Sequence, residues 1–155
     1  MEQQIVALRD RTDLVPVVAK WAHEEFWSFV GKSLEETQRL FTPVPRSTWL
    51  PRTFVLLQGE TPVGTASIVE HDLESRPQLS PWLAALVVDR AGRGRGHSRT
   101  LVRFIEDFAR DNDVETLWLF TWSAEGLYAK LGWGAVERLE QNGREVVVMN
   151  RKLSN

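Results

Sequence analysis

With 155 residues, 43% of them apolar, the chain has the size and composition of one domain spanning 1–155 with a core of its own. A formal net charge of −2 argues against a protein built chiefly for nucleic acid, and the absence of cysteine excludes disulfides, thiolate metal sites and a cysteine nucleophile. No segment approaches the roughly 18 apolar residues of a membrane span, and Met1-Glu2-Gln3-Gln4 does not open a signal peptide, so a cytoplasmic protein with no membrane partner is expected. His23, His71 and His97 are isolated from one another in sequence, and no metal site is expected.

In chain order, Ile5–Arg9 reads as a first strand. The polar turn Asp10–Asp13 follows, with Asp13 placed to cap a helix whose apolar stripe runs Leu14, Val17, Val18, Trp21, Ala22 and Phe26 and which Gly31 closes. Ser33 followed by Glu36 is a capping box and predicts a short helix to about Phe41. The segment 42–51, with Pro43, Pro45 and Pro51, reads as a loop. Thr53–Gln58 and Pro62–His71 are β-rich runs joined by Gly59-Glu60-Thr61, a hairpin. A polar loop, Asp72–Pro81, leads into Trp82–Val88, seven apolar residues that suit a strand buried on both faces.

After that strand comes Arg93-Gly94-Arg95-Gly96-His97-Ser98. A helix begins near Ser98, with Leu101, Phe104, Ile105, Phe108 and Ala109 on one face. Strand, glycine-arginine turn and helix in that order aim backbone N–H groups and the positive end of a helix dipole at one point, where a phosphate can sit. The sequence matches neither a Walker loop, since His97 and Ser98 follow Gly96, nor a dinucleotide fingerprint, which would need glycine at position 97. Arg90, Arg93, Arg95, Arg99 and Arg103 make the basic character local, which points to a small partner. Downstream, Asn112-Asp113 suits a left-handed helix cap, Thr116–Thr121 a strand and Ala124–Leu131 a short helix ending at Gly132. Val136–Glu140 and Glu145–Arg151 flank Asn142-Gly143, a tight-hairpin pair.

The combination resembles the GNAT superfamily of acetyl-CoA-dependent N-acetyltransferases over essentially the whole domain. Arg93 to Ser98 is similar to the family's pyrophosphate loop, Arg/Gln-x-x-Gly-x-Gly/Ala, with Arg93 and Gly96 matching and Ser98 in place of the final Gly or Ala. Ala124 to Trp133 resembles the family's Ala-x-x-x-Tyr-x-x-x-Gly-Phe helix, and Thr121 stands where that pattern often has Asn.

The resemblance implies an α/β (α+β) fold: a mixed, mostly antiparallel sheet of about six to seven strands, helices on both faces, and a splayed parallel pair formed by Trp82–Val88 and Thr116–Thr121. It also implies acetyl-CoA as cosubstrate. Leu86, Val87 and Val88 would offer backbone to the pantetheine, Arg93, Gly94, Arg95, Gly96, His97 and Ser98 would hold the pyrophosphate, and Thr121 would add a contact. Val88 N–H would also polarise the thioester carbonyl. Ser98 would cap the helix or bond a phosphate.

Tyr128, the chain's only tyrosine, falls on the family position for the acid that protonates the departing thiolate. Glu70 and His71, at the end of the hairpin strand, are the first candidates for the base, with Asp72 beside them and His23, Glu24 and Glu25 on the first helix. Phe26, Trp27, Phe41 and Trp122 are candidates to wall an acceptor pocket, although core packing is the first explanation for each ring taken separately. The acceptor is a small-molecule amine or a peptide N-terminus, and a homodimer through the final hairpin is open. The alternative is a non-catalytic acyl-CoA-binding module.

Overall fold

The computed structural model describes residues 2–42 and 48–153, so part of the loop expected over 42–51 lies outside the described residues. The β-rich runs pair into one sheet in which β1 (Gln3–Ala7), β2 (Arg52–Gln58), β3 (Thr61–Val69), β4 (Trp82–Val88), β5 (Thr116–Thr121), β7 (Arg144–Lys152) and β6 (Gly134–Gln141) lie side by side in that order. Every neighbouring pair is antiparallel except β4 and β5. The mixed, mostly antiparallel architecture and its parallel pair are as expected from the sequence.

Alternation along β2 separates two cores, because successive side chains of a strand point to opposite faces. Phe54 and Leu56 join Leu101, Val102, Ile105 and Ala109 of α3 (His97–Asp111), together with Tyr128 and Leu131 on α4 (Glu125–Lys130) and its following residue. Val55 and Leu57 face Leu14, Val15, Val18, Ala19 and Ala22 around α1 (Val15–Glu25), with Phe41 after α2 (Leu34–Leu40). Each fully buried aliphatic side chain of these stripes contributes about 1.5–3 kcal/mol relative to exposure, which seats helices on both faces of the sheet.

Local signals were sound at most termini and failed where tertiary structure competed. Ser33 accepts from Glu36 N–H and Glu36 accepts from Ser33 N–H, both at 3.0 Å, completing the capping box. Asn142 and Gly143 take positive φ, 52° and 79°, and Asp113 is left-handed at 64°. Asp13, in contrast, does not cap α1. A 3-10 turn over Thr12–Leu14 intervenes, and the Asp13 carboxylate accepts from Arg11 at 3.0 and 2.9 Å, which lowers its pKa. β1 starts and ends two residues early, as Leu8–Asp10 turns into a 3-10 segment that buries Leu8. Past α1 the chain does not continue as α-helix to Gly31. It tightens into a 3-10 turn over Trp27–Val30 that Gly31 ends at φ 82°, and His23 Nε2–H donates to the Lys32 carbonyl at 2.9 Å across it.

Candidate functional site

β4 and β5 run parallel yet share a single bridge, Trp82 with Trp118, after which their facing edges stay unpaired. The cause lies within β4. Ala85 takes φ 54°, and the register against β3 shifts between Thr65 and Ser67, so β4 carries an extra residue there. A bulge bends its strand and ends pairing locally. Leu86 and Val88 thus line an open groove, whereas Val87 between them is buried beside Thr65 of β3 with its carbonyl on the Gly64 side. Such exposed strand edges accept an extended amide-bearing ligand by hydrogen bonding.

The groove, about 360 Å³, ends at the glycine-arginine turn and α3. Gly94 and Gly96 have φ of 81° and 80° with open space where a Cβ would stand, so backbone conformation, not room, demands glycine at both. The first intrahelical bond of the turn is Thr100 N–H to Gly96 O at 3.1 Å. The N–H groups of His97, Ser98 and Arg99 therefore have no acceptor of their own within the helix, the arrangement that favours an anion.

The side chains of this turn behave differently from its backbone. The helix starts at His97 with Gly96 as its cap, so Ser98 does not cap it. His97 is 3% exposed, its Nδ1 lies 3.4 Å from Gln3 Nε2, and its ring packs under Gly92; what it offers an anion is its N–H. Arg95 is exposed and does not line the groove. Arg93 does, but its Nη2 donates to Glu25 at 3.0 Å and its Nε to the Val88 carbonyl at 3.3 Å. Thr121 accepts from the N–H groups of Ser123 and Ala124 at 3.3 and 3.0 Å, shaping the turn into α4.

Tyr128 on α4 lines both this groove and a second cavity of about 1030 Å³. It is 6% exposed, and burial raises its pKa well above the ordinary phenol value. Its ring meets Trp133 edge-on, 6.1 Å between centroids, and its hydroxyl makes no hydrogen bond to a described residue.

Trp133 in turn is anchored by a residue that sequence reading missed. Glu106, 2% exposed, accepts from Trp133 Nε1 at 2.9 Å and from Arg103 at 2.8 and 3.1 Å, with Arg151 at 3.3 Å. The signal was present: Glu106 sits one turn from Val102 and from Ala109 on the apolar stripe of α3, where a carboxylate is buried only if paired. Glu106→Ala strands two arginines and the indole N–H. It is expected to cost about 3–5 kcal/mol in denaturant unfolding. A loss below about 1 kcal/mol would show the network to be energetically idle.

The larger cavity gathers Phe26, Trp27, Phe41 and Trp122, the four rings named from sequence, and adds Phe29. Phe26 meets Trp122 edge-on at 5.6 Å. Glu70, His71 and Asp72 line it from the end of β3, and Arg144 from the start of β7. Glu70 and His71 are at its exposed rim, their side chains 72% and 54% accessible and 3.6 Å apart. Asp72 is more enclosed, has no hydrogen-bonding partner among the described residues, and is pushed up to about 6 by burial alone. Arg144 lies with its guanidinium carbon 4.7 Å from the centroid of Phe29 and 4.8 Å from that of Trp122. Among the described residues no group of His and carboxylates could hold a metal ion, and no helix is long and apolar enough to cross a membrane.

Residues 16–133 match the model of the acetyltransferase (GNAT) family. No curated protein matches the sequence significantly. Among solved structures the chain is similar to an aminoglycoside 6'-N-acetyltransferase complexed with coenzyme A, at 16% identity and TM-score 0.76, covering 100% of this chain and 98% of that one. The ribosomal-protein-S18-alanine N-acetyltransferase from Escherichia coli is similar at 18% identity and TM-score 0.71, with 99% and 96% covered. A spermidine N-acetyltransferase chimera from Vibrio cholerae and a second source is similar at 18% identity and TM-score 0.74, with 99% and 96% covered.

Proposed function

The chain belongs to the GNAT acetyltransferase family and is an acyltransferase, and from that premise we propose that it moves the acetyl group of acetyl-CoA directly to an amine bound in the larger cavity. The observation that carries this reading is the position of Tyr128: a buried phenol with no hydrogen-bond partner among the described residues stands where the donor groove meets the second cavity. The groove also fits the donor. Free strand edges suit the pantetheine amides, and left-handed glycines with unsatisfied N–H groups at α3 suit the pyrophosphate. In this reading the loop's backbone carries the phosphate, and Arg93 adds charge once it leaves Glu25.

Transfer requires a neutral amine, a stabilised oxyanion and a protonated leaving group. Only about one lysine-like amine in a thousand is neutral at pH 7, so a base must take its proton. Asp72 is the group in the cavity whose environment suits that task, since a carboxyl near 6 is ionised at neutral pH yet basic enough to accept. Glu70 and His71, hydrated at the rim, pass the proton on to solvent. The amine nitrogen then bonds to the acetyl carbon and Val88 N–H donates to the oxygen that gains charge; the nitrogen, now positively charged, gives up its second proton to the water at the rim, the carbon–sulfur bond breaks, and Tyr128 supplies the sulfur with a proton. The products are an amide and CoA thiol, and the phenol regains its proton from the water at the rim.

The protein's lack of cysteine makes the test direct: CoA thiol release is read with a thiol reagent against no protein background. A broad amine panel is expected to accelerate release over slow hydrolysis, and acetyl-CoA to raise the melting temperature where an oligonucleotide does not. Stabilisation by acetyl-CoA with no amine accelerating release would establish a non-catalytic acyl-CoA module instead.

A further inference from the structure

The acceptor cavity contains two opposite charges that do not pair. Asp72 makes no hydrogen bond or ion pair with a described residue, and Arg144 makes neither as well. The two belong to well-separated segments, the exit of β3 and the entry of β7, and both line the same aromatic-walled space. An enclosed carboxylate without a cation is costly, and so is a half-buried guanidinium without an anion. Other charged groups that line the cavity do have partners: Glu25 holds Arg93 at 3.0 Å, and Glu70 lies 3.6 Å from His71.

Arg144 is also preorganised. Phe29 and Trp122 contact its guanidinium at 4.7 and 4.8 Å, so cation–π attraction holds the group in the absence of an ion pair. Its N–H donors remain uncommitted, and a planar fork held in place is suited to two parallel bonds to one carboxylate. The rings that hold it are themselves unusually open for aromatic side chains, Phe29 at 61% and Trp122 at 37%, leaving apolar surface at the mouth of the cavity.

We infer that the acceptor is a zwitterion, an amino acid with an apolar or aromatic side chain, whose ammonium is taken by Asp72 and whose carboxylate is taken by Arg144 while its side chain lies on the Phe26, Phe29 and Trp122 surface. This rests on the acetyltransferase reading and specifies its acceptor. It makes Arg144 a specificity-determining residue outside the chemistry of transfer. The carboxylate it binds keeps its charge throughout, and the new amide bond forms at the other end of the ligand.

The test compares phenylalanine, phenylalaninamide and phenethylamine, and the leucine equivalents, as acceptors for the wild type, Arg144→Gln and Arg144→Lys. Phenylalanine or leucine is expected to exceed its partners lacking the carboxylate in kcat/KM by at least about tenfold in the wild type. Arg144→Gln is expected to raise KM for the amino acid about 10- to 100-fold with a much smaller change in kcat, and to lower the preference for the amino acid over phenethylamine by a similar factor. Arg144→Lys restores charge without the fork and should recover only part of the loss. Unchanged acetyl-CoA affinity and melting temperature in Arg144→Gln show the effect to be local.

The inference is overturned if the amide and the decarboxylated amine serve the wild type as well as the amino acid does. It is also overturned if Arg144→Gln improves a diamine, which would mean that Arg144 occupies a cage meant for a cationic acceptor. Either result leaves the acetyltransferase reading intact. Failure of every amine to release CoA overturns both.

Discussion

Tyr128→Phe is expected to slow acetyl transfer by about 10²–10⁴-fold, the usual contribution of a positioned acid, while acetyl-CoA binds within about threefold of the wild type. The split between the two effects follows from the site. The phenol ring lines the donor groove and packs on Trp133, and phenylalanine preserves both contacts. Only the hydroxyl is removed, and it bonds to no described residue in the absence of ligand. Stability is therefore expected to hold or rise slightly, which separates a chemical defect from a folding defect. Because burial pushes the phenol upward, Tyr128 keeps its proton throughout the neutral range, and wild-type activity should not fall at moderately alkaline pH through its ionisation. Single-turnover rates with saturating acetyl-CoA check the first point, and isothermal titration the second. Equal turnover in Tyr128→Phe would remove the residue from the mechanism and leave the thiolate to be protonated by solvent.

Asp72→Asn moves activity and stability in opposite directions. Without the carboxylate the amine has no neighbouring acceptor for its proton, and kcat/KM is expected to drop by about 10²-fold or more at pH 7. In the wild type, kcat/KM should decline as pH falls through about 6, the value at which Asp72 takes up a proton, and this limb should be absent from the variant. Stability has the reverse sign. The folded-state pKa is raised above the ordinary aspartate value, so the folded protein binds the proton more tightly than the unfolded chain between about pH 4 and 6. Stability is thus lost as pH rises through that window, and the penalty is fully present above about 6. Asparagine removes it, for an expected gain of about 1–3 kcal/mol at pH 7, discounted for the residual exposure of the group, and no gain near pH 3. Urea unfolding of both proteins at pH 4 and pH 7 checks this. A variant that loses stability at pH 7 would show that the carboxylate has a partner, and one with wild-type kcat/KM would transfer the role of base to Glu70 or His71.

A small active centre gathered from distant segments is where reading the chain was least reliable. Glu70 and His71 were the first candidates for the base, with Asp72 beside them, because all three end a strand directed to the cleft. The fold sets their side chains at a hydrated rim and encloses their neighbour Asp72 instead, so the feature that distinguishes them is desolvation, which no residue type encodes. Arg93 was expected to hold phosphate, and in the folded chain a carboxylate 68 positions away in sequence engages it. Ser98 looked like a cap, but a left-handed Gly96 starts the helix one residue earlier. Glu106 was passed over as one more charged helix position, although its place on the apolar stripe of α3 required a buried partner network.

The glycine-arginine turn was legible in the sequence itself. Its two positive-φ glycines and the free N–H groups at the head of α3 are backbone features of neighbouring residues that local sterics specify, whereas the open edge after Trp82 depends on the bulge at Ala85 and was expected only from the family resemblance. The Asn142-Gly143 turn and the Ser33 capping box were readable for the same reason. In the larger cavity several rings and Asp72 were named from the sequence, but tertiary structure decided how they combine. Asp72, Arg144, Phe29 and Trp122 come from four separate segments, and their meaning lies in which charge stays unpaired and which ring covers another group. Those relations arise only when packing removes water from some groups and leaves it at others.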